Sequence, residues 1–104
     1  MLIVTANRIE GKQIVEVKGL VQGSTVQTKH VGRDIGASLK TLVGGEIKGY
    51  SDLMSEARSI AKKRMVKEAE SLGANAIVAM RYQTSQVMNT ASEIIAYGTA
   101  VVIE

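Results

Sequence analysis

The stretch 51–72 constrains this chain most. Between Ser51-Asp52 and Gly73, the residues Leu53, Ala57, Ile60, Ala61, Met65, Ala69 and Leu72 recur at helical spacing and form one apolar stripe. Ser51 or Asp52 is the expected N-cap and Gly73 the expected C-cap. Arg58, Lys62, Lys63, Arg64 and Lys67 lie mostly off the stripe. Four of them fall in the later half, where cations suit the helix dipole. A helix with one apolar stripe must bury it against another layer.

The flanking segments supply that layer. Residues 2–6 are a short apolar run read as a strand. Residues 13–28 read as a long strand, with Val15, Val17 and Val21 on one face and Glu16 and Lys18 on the other. Gly19 and Gly23 interrupt it, which predicts a bulge or a close backbone approach. A long strand bent at glycine is expected to leave its parent sheet and pair with another chain. Residues 34–43 read as a short helix, capped by Asp34, carrying Ile35, Leu39, Leu42 and Val43, and ended by Gly44-Gly45. Residues 75–83 and 93–103 read as two further strands joined by a polar hairpin connection from Gln83 to Ser92. The last strand is apolar on both faces and belongs centrally in a sheet or at a subunit contact. The order β-β-α-α-β-β lacks βαβα alternation, so the reading is one α+β domain over 1–104 with a mostly antiparallel sheet.

Composition limits the chemistry. The chain has 104 residues and no Cys, which removes disulfides, thiolate metal ligands and a thiol nucleophile. It also lacks Phe and Trp, so the core is built from Val, Ile, Leu, Ala and Met. So light a core points to a partner subunit. The net charge of +3 is mildly basic, with little aromatic interleaving, and nucleic-acid binding is not expected. Lys62, Lys63, Arg64 and Lys67 read as a solvated helix face, with an anionic surface as the weaker option. Tyr50, Tyr82 and Tyr97 are expected to pack and hydrogen-bond at element ends. No apolar run reaches a membrane span, and Met1 to Ala6 is too short for a signal-peptide core. A cytoplasmic location is the expectation.

No catalytic constellation emerges. His30 is the only His and reads as a surface or loop residue. In a symmetric ring, though, one His per subunit becomes a ring of ligands, which makes it the one weak metal candidate. Glu46 follows two glycines and precedes the expected helix start. Pairing with Arg58 or a neighbouring chain's Arg is favoured over an acid or cation-binding role. Gly44-Gly45 lacks the residues of a P-loop or dinucleotide fingerprint and reads as a tight turn. No cofactor is implied.

Gly19-x-Val21-x-Gly23, Gly44-Gly45-Glu46 with Tyr50, Arg58 and Ala61, Gly73-Ala74-Asn75-Ala76 and Tyr97-Gly98-Thr99-Ala100 together resemble the YbjQ-like family, also designated UPF0145 and labelled a "putative heavy-metal-binding" domain. The resemblance covers nearly the whole chain. It implies a dodecin-like two-layer subunit in a homopentameric ring, with extra strands that promote assembly. It carries over no established activity. Most matching residues are Gly and Ala, which points to backbone geometry and close packing. The polar or aromatic matches are Glu46, Tyr50, Arg58, Asn75 and Tyr97, the candidate ligand or interface residues. The expected function is that of a non-enzymatic oligomer. A module binding a small ligand or metal ion between subunits is the alternative.

Overall fold

The computed structural model of the chain describes the backbone of residues 1–28, 46–88 and 91–104, and the side chains of residues 1–26, 52–86 and 92–104. In chain order the described elements are β1 (Leu2–Ile3), β2 (Ile14–Thr28), α1 (Glu46–Ser71), β3 (Ala76–Met88) and β4 (Ala91–Ile103). The fold is α+β, a mixed sheet of order β1-β3-β4-β2 with α1 packed on one face. β4 pairs antiparallel with both β2 and β3, while β1 pairs parallel with β3. The central place of β4 matches its apolar residues on both faces. The short helix predicted over 34–43 lies outside the described residues. No described helix is long and apolar enough to cross a membrane.

α1 lays a ridge of small and flexible residues on the sheet. Leu53, Ala57, Ala61, Met65 and Ala69 follow at intervals of four and are all buried. They meet Val21 of β2 and Ile94, Ala96 and Ala100 of β4. The alanines let the helix axis come close to the strands. At Gly23 the approach is closest, because a Cβ there would overlap the Ala61 carbonyl oxygen and the Met65 amide nitrogen and come within 2.7 Å of the Arg64 Cβ. Gly23 is therefore required by helix–sheet contact, which is one of the two outcomes its position in a strand predicts.

The helix ends differ from the prediction at one side. Its start lies at Glu46, so Ser51 and Asp52 are interior residues and cap nothing. An internal Gly49 costs only about 1 kcal/mol relative to Ala, too little to stop a helix already propagating through 46–50. The far end follows the prediction: Gly73 adopts φ +83°. Its amide donates to Glu70 O (3.0 Å), and the Ala74 amide donates to Ala69 O (3.1 Å). That pair of bonds is a Schellman cap. Leu72 falls beyond the last helical turn and is 41% exposed, off the stripe assigned to it. The last turn contains no basic residue, so the lysines at 62–67 precede the region where the dipole acts.

A bulge decides which face β2 presents. The register shifts between Val17 and Gly19, and Gly19 takes φ +115°. Val17 pairs with Val101, whose side chain lies on the face away from α1, whereas Val21 pairs with Gly98 and faces α1. Val15, Val17 and Val21 therefore do not share a face, because one extra residue inverts the alternation. Nor does β2 leave its sheet: it stays paired with β4 from Ile14 to Thr28. The expected polar connection from Gln83 to Ser92 is mostly ladder. Pairs run on through Gln86↔Ser92 to Met88↔Ala91, since Thr, Ser and Gln suit an exposed antiparallel pair.

The N-terminal run forms only two regular ladder residues, yet it still binds β3. Val4 N donates to Ile77 O, Ala79 N to Ala6 O and Met80 N to Val4 O. The irregularity has a local cause: Ala79 takes φ 54° within a register break between Val78 and Arg81. Gly98 sits against this bulge, where a Cβ would lie 2.7 Å from Ile77 Cγ2 and 3.1 Å from Val78 O. Behind it, Ile9, Val4, Ile14 and Ile103 pack on Ala76, Val78 and Val101 in a small second core.

Candidate functional site

Asn75 is the candidate whose role the structure defines best. Its Nδ2 donates to Ile103 O (3.0 Å), and its Oδ1 accepts from Ile103 N (2.8 Å). Its backbone amide donates to Val101 O (3.1 Å). The side-chain amide mimics a further peptide unit and extends the β3–β4 ladder by one rung. Both functional atoms of the amide are engaged, so Asn75 serves as a strand-end clamp beside the Gly73 cap.

The remaining candidates do not converge. Arg58 lies on α1 and donates from Nη2 to Ser55 Oγ (3.0 Å), one helical turn away. Tyr97 lies mid-strand in β4, opposite Gln22 on one side and Arg81 on the other, and is half-buried. Its parity with Val101 places it on the sheet face away from α1. Arg58 and Tyr97 are thus separated by the sheet within one chain. Tyr82 and Tyr97 both sit inside strands, not at element ends. Glu46 and Tyr50 belong to the first turns of α1, and their side chains are outside the described set. Twelve positions of helix separate Glu46 from Arg58, a rise of about 18 Å along the axis. Gly44, Gly45 and His30 lie outside the described residues.

Two arginines hold the architecture: Arg64, read from the sequence as part of a solvated helix face, and Arg81, which sequence reasoning left unassigned. Arg64 donates from Nη1 to Ser24 O (2.6 Å), joining α1 to β2. Arg64 is as exposed as Lys62, Lys63 and Lys67, and the bond to Ser24 O is what ties it to the sheet. Arg81 donates from Nη1 to Thr5 O and Met80 O, both at 2.8 Å, and fastens the N-terminal segment across the Ala79 bulge. A signal existed for Arg81: it is the only charge between Glu70 and Glu93. A lone charge in a strand needs partners, and here two carbonyls supply them.

Among the described residues, no group of three or more His, Cys, Asp or Glu is placed to hold a metal ion. What the geometry offers is a surface. On the face away from α1, Val17 is 64% exposed, Leu20 66% and Val26 49%. Ile95, Tyr97 and Thr99 of β4 are half-buried beside them. No described element covers this part of the sheet.

An α+β domain with a helix closing one sheet face and exposed apolar residues on the other defines an architectural class. The whole chain, residues 1–104, matches the profile of a family described as "Putative heavy-metal-binding", YbjQ. It is 64% identical over 104 residues to a UPF0145 protein of Halalkalibacterium halodurans, covering 100% of this chain and 98% of that one. A UPF0145 protein of Clostridioides difficile is 59% identical, with 100% and 93% covered, and one of Thermotoga maritima 53%, with 100% and 98% covered. A solved structure from Pediococcus pentosaceus, of a protein of unknown function in the DUF74 family, superposes with a TM-score of 0.69 at 20% identity. It covers 100% of this chain and 98% of its own, and shows the shared fold. The chain belongs to the YbjQ-like family, UPF0145.

Proposed function

We propose that this protein is a non-enzymatic, cytoplasmic subunit of a homo-oligomer, and that the assembly is a pentameric ring. The observation that carries the reading is the uneven sheet. α1 closes one face down to zero exposure at Val21, Ala96 and Ala100, while Val17 and Leu20 on the other remain about two-thirds exposed. Apolar side chains at such exposure in adjacent rows mark an interaction surface. The scattered placement of Arg58, Asn75 and Tyr97 supports a non-catalytic role, because general acid–base or nucleophilic chemistry needs convergent groups. The ring of five is what the family resemblance implies.

The family's description favours a second reading, in which subunit contacts create equivalent sites for a metal ion or small ligand. One His per chain, His30, would then be repeated around the axis. Native mass spectrometry, with and without added zinc or nickel and after chelation, tests both. A pentamer of unchanged mass is the expected result. Stoichiometric metal retained by the pentamer and lost in a His30→Ala variant would replace the first reading with the second. A monomer at micromolar concentration would sink both.

A further inference from the structure

We propose that residues 2–9 form a strap that opens as a unit, with Arg81 as its latch and Ala79 as a strained hinge that the strap holds in place. Three consecutive strap carbonyls are bound by three consecutive residues of β3. Val4 O accepts from Met80 N (3.1 Å), Thr5 O from Arg81 Nη1 (2.8 Å) and Ala6 O from Ala79 N (2.8 Å). In a regular strand neighbouring amides point to opposite edges, so one edge does not offer two in a row. Here it does, because Ala79 takes φ 54° and neither Ala79 nor Met80 pairs with β4. A left-handed residue turns successive amides to one side.

The strain and the clamp belong together. Among the described residues, Ala79 is the only non-glycine with positive φ. An L-residue is disfavoured there because its Cβ crowds the following carbonyl. Such a conformation persists only where its surroundings enforce it. Gly98 gives the displaced backbone room, since a Cβ there would lie 3.3 Å from Met80 Cα. Room alone does not favour a left-handed alanine, whereas the bonds to Val4 O and Ala6 O do. Once the strap leaves, Ala79 and Met80 lose those acceptors, and the extended conformation becomes the better one for Ala79.

The strap is otherwise lightly held, so it comes away before the sheet does. Its regular ladder is Leu2 and Ile3 alone, and Thr5 to Arg8 are exposed. Its half-buried side chains are Ile3, Val4 and Ile9, of which Val4 and Ile9 cover Ala76, Val78 and Val101. Beyond it, Gln13 exchanges two backbone bonds with Glu104 (2.9 and 3.0 Å), which tether the strap at the start of β2. By contrast, β2 pairs with β4 from Ile14 to Thr28, and α1 lies across both. Segments with few apolar contacts open at lower free energy than the body they cover. The strap is thus the lid of the smaller core. Its opening bares Ala76, Val78 and Val101 while the face under α1 stays closed.

The test is amide hydrogen exchange of the full chain, wild type against Arg81→Met and Ala79→Gly. It is read at Val4, Ala79 and Met80, whose amides bond across the strap, with the amides of β4 as reference. In the wild type the three are expected to share one protection factor, about tenfold or more below that of β4. Arg81→Met removes the charged donor to Thr5 O and should lower all three about tenfold while leaving β4 unchanged. Ala79→Gly should raise all three by about two- to fivefold, because glycine escapes the Cβ penalty of the closed form and gives back only part of it as freedom in the open one. Unequal protection of the three amides, or protection equal to that of β4, overturns the unit. An Arg81→Met variant that weakens the strap and β4 alike overturns the latch. An Ala79→Gly variant whose three amides are unchanged or less protected overturns the hinge. If Arg81→Met does not fold, Arg81→Lys replaces it, with a loss of about threefold expected at the same amides from its poorer donor geometry.

Discussion

Leu20 and Val21 are neighbours in one strand with opposite fates. Val21 is fully buried under α1, whereas Leu20 points to the other face and is 66% exposed. Across β4 the contrast continues: Ile94, Ala96 and Ala100 are buried, and Ile95, Tyr97 and Thr99 between them are only half-covered. Val17, Leu20, Val26 and Ile95 on the open face are as apolar as the buried residues, although Gln22, Ser24 and Glu93 lie among them, so side-chain hydrophobicity alone does not explain the difference. Backbone proximity does. Gly23 and the alanines of α1 bring a helix against one face, and on the other the N-terminal segment reaches only the rows around Val78 and Val101. The closed face holds the fold together, and the open face remains exposed at Val17, Leu20 and Val26.

The contrast can be broken most severely at Gly23. A valine there would overlap helix backbone, which cannot move as a side-chain tip can. Overpacking of this kind costs about 3 kcal/mol or more. Gly23→Val is expected to unfold at much lower urea concentration than wild type, or to fail to fold. Unchanged stability would show that α1 is not seated as described.

Asn75 gives an intermediate effect and separates a structural role from a ligand-binding one. Asn75→Ala removes two hydrogen bonds to Ile103 and should lower stability by about 1–2 kcal/mol. Asn75→Asp preserves the acceptor to Ile103 N while losing the donor to Ile103 O, and should lie between alanine and wild type in urea denaturation. Full stability of both variants would argue that the clamp does little and return Asn75 to the ligand candidates.

Leu20→Thr should have the smallest effect on the isolated subunit, within about 0.5 kcal/mol, because exposed substitutions away from special features change little. On the proposed reading its effect appears in assembly, as a rise in the concentration needed for oligomer formation, followed by dilution on a light-scattering column. A large loss of subunit stability with no change in assembly would show that the open face is internally packed and would invert the comparison.

Much of the architecture was legible because it depends on local pattern. The apolar stripe of α1, the Gly73 cap, and the central strand with apolar residues on both faces each follow from spacing or from one residue's conformational freedom. The errors arose where a local rule met an extra residue or a distant partner. The Gly19 bulge inverted the alternation of β2, so three valines assigned to one face are split between two. The start of α1 was placed five residues late because Ser51-Asp52 looked like a cap, although nothing in 46–50 is strong enough to stop the helix. Asn75 is a candidate ligand or interface residue from the sequence, and its bonds to Ile103 were not legible there because the partners lie 28 positions away.

The sequence by itself determined the class of fold, the glycine positions, and the absence of thiol chemistry, because each is written in periodicity or residue identity. Tertiary contacts alone settled which face of each strand is closed and which carbonyls Arg64 and Arg81 hold. Those properties depend on where a strand from one part of the chain meets a helix from another. A one-residue bulge is enough to exchange inside for outside without altering the composition of either face.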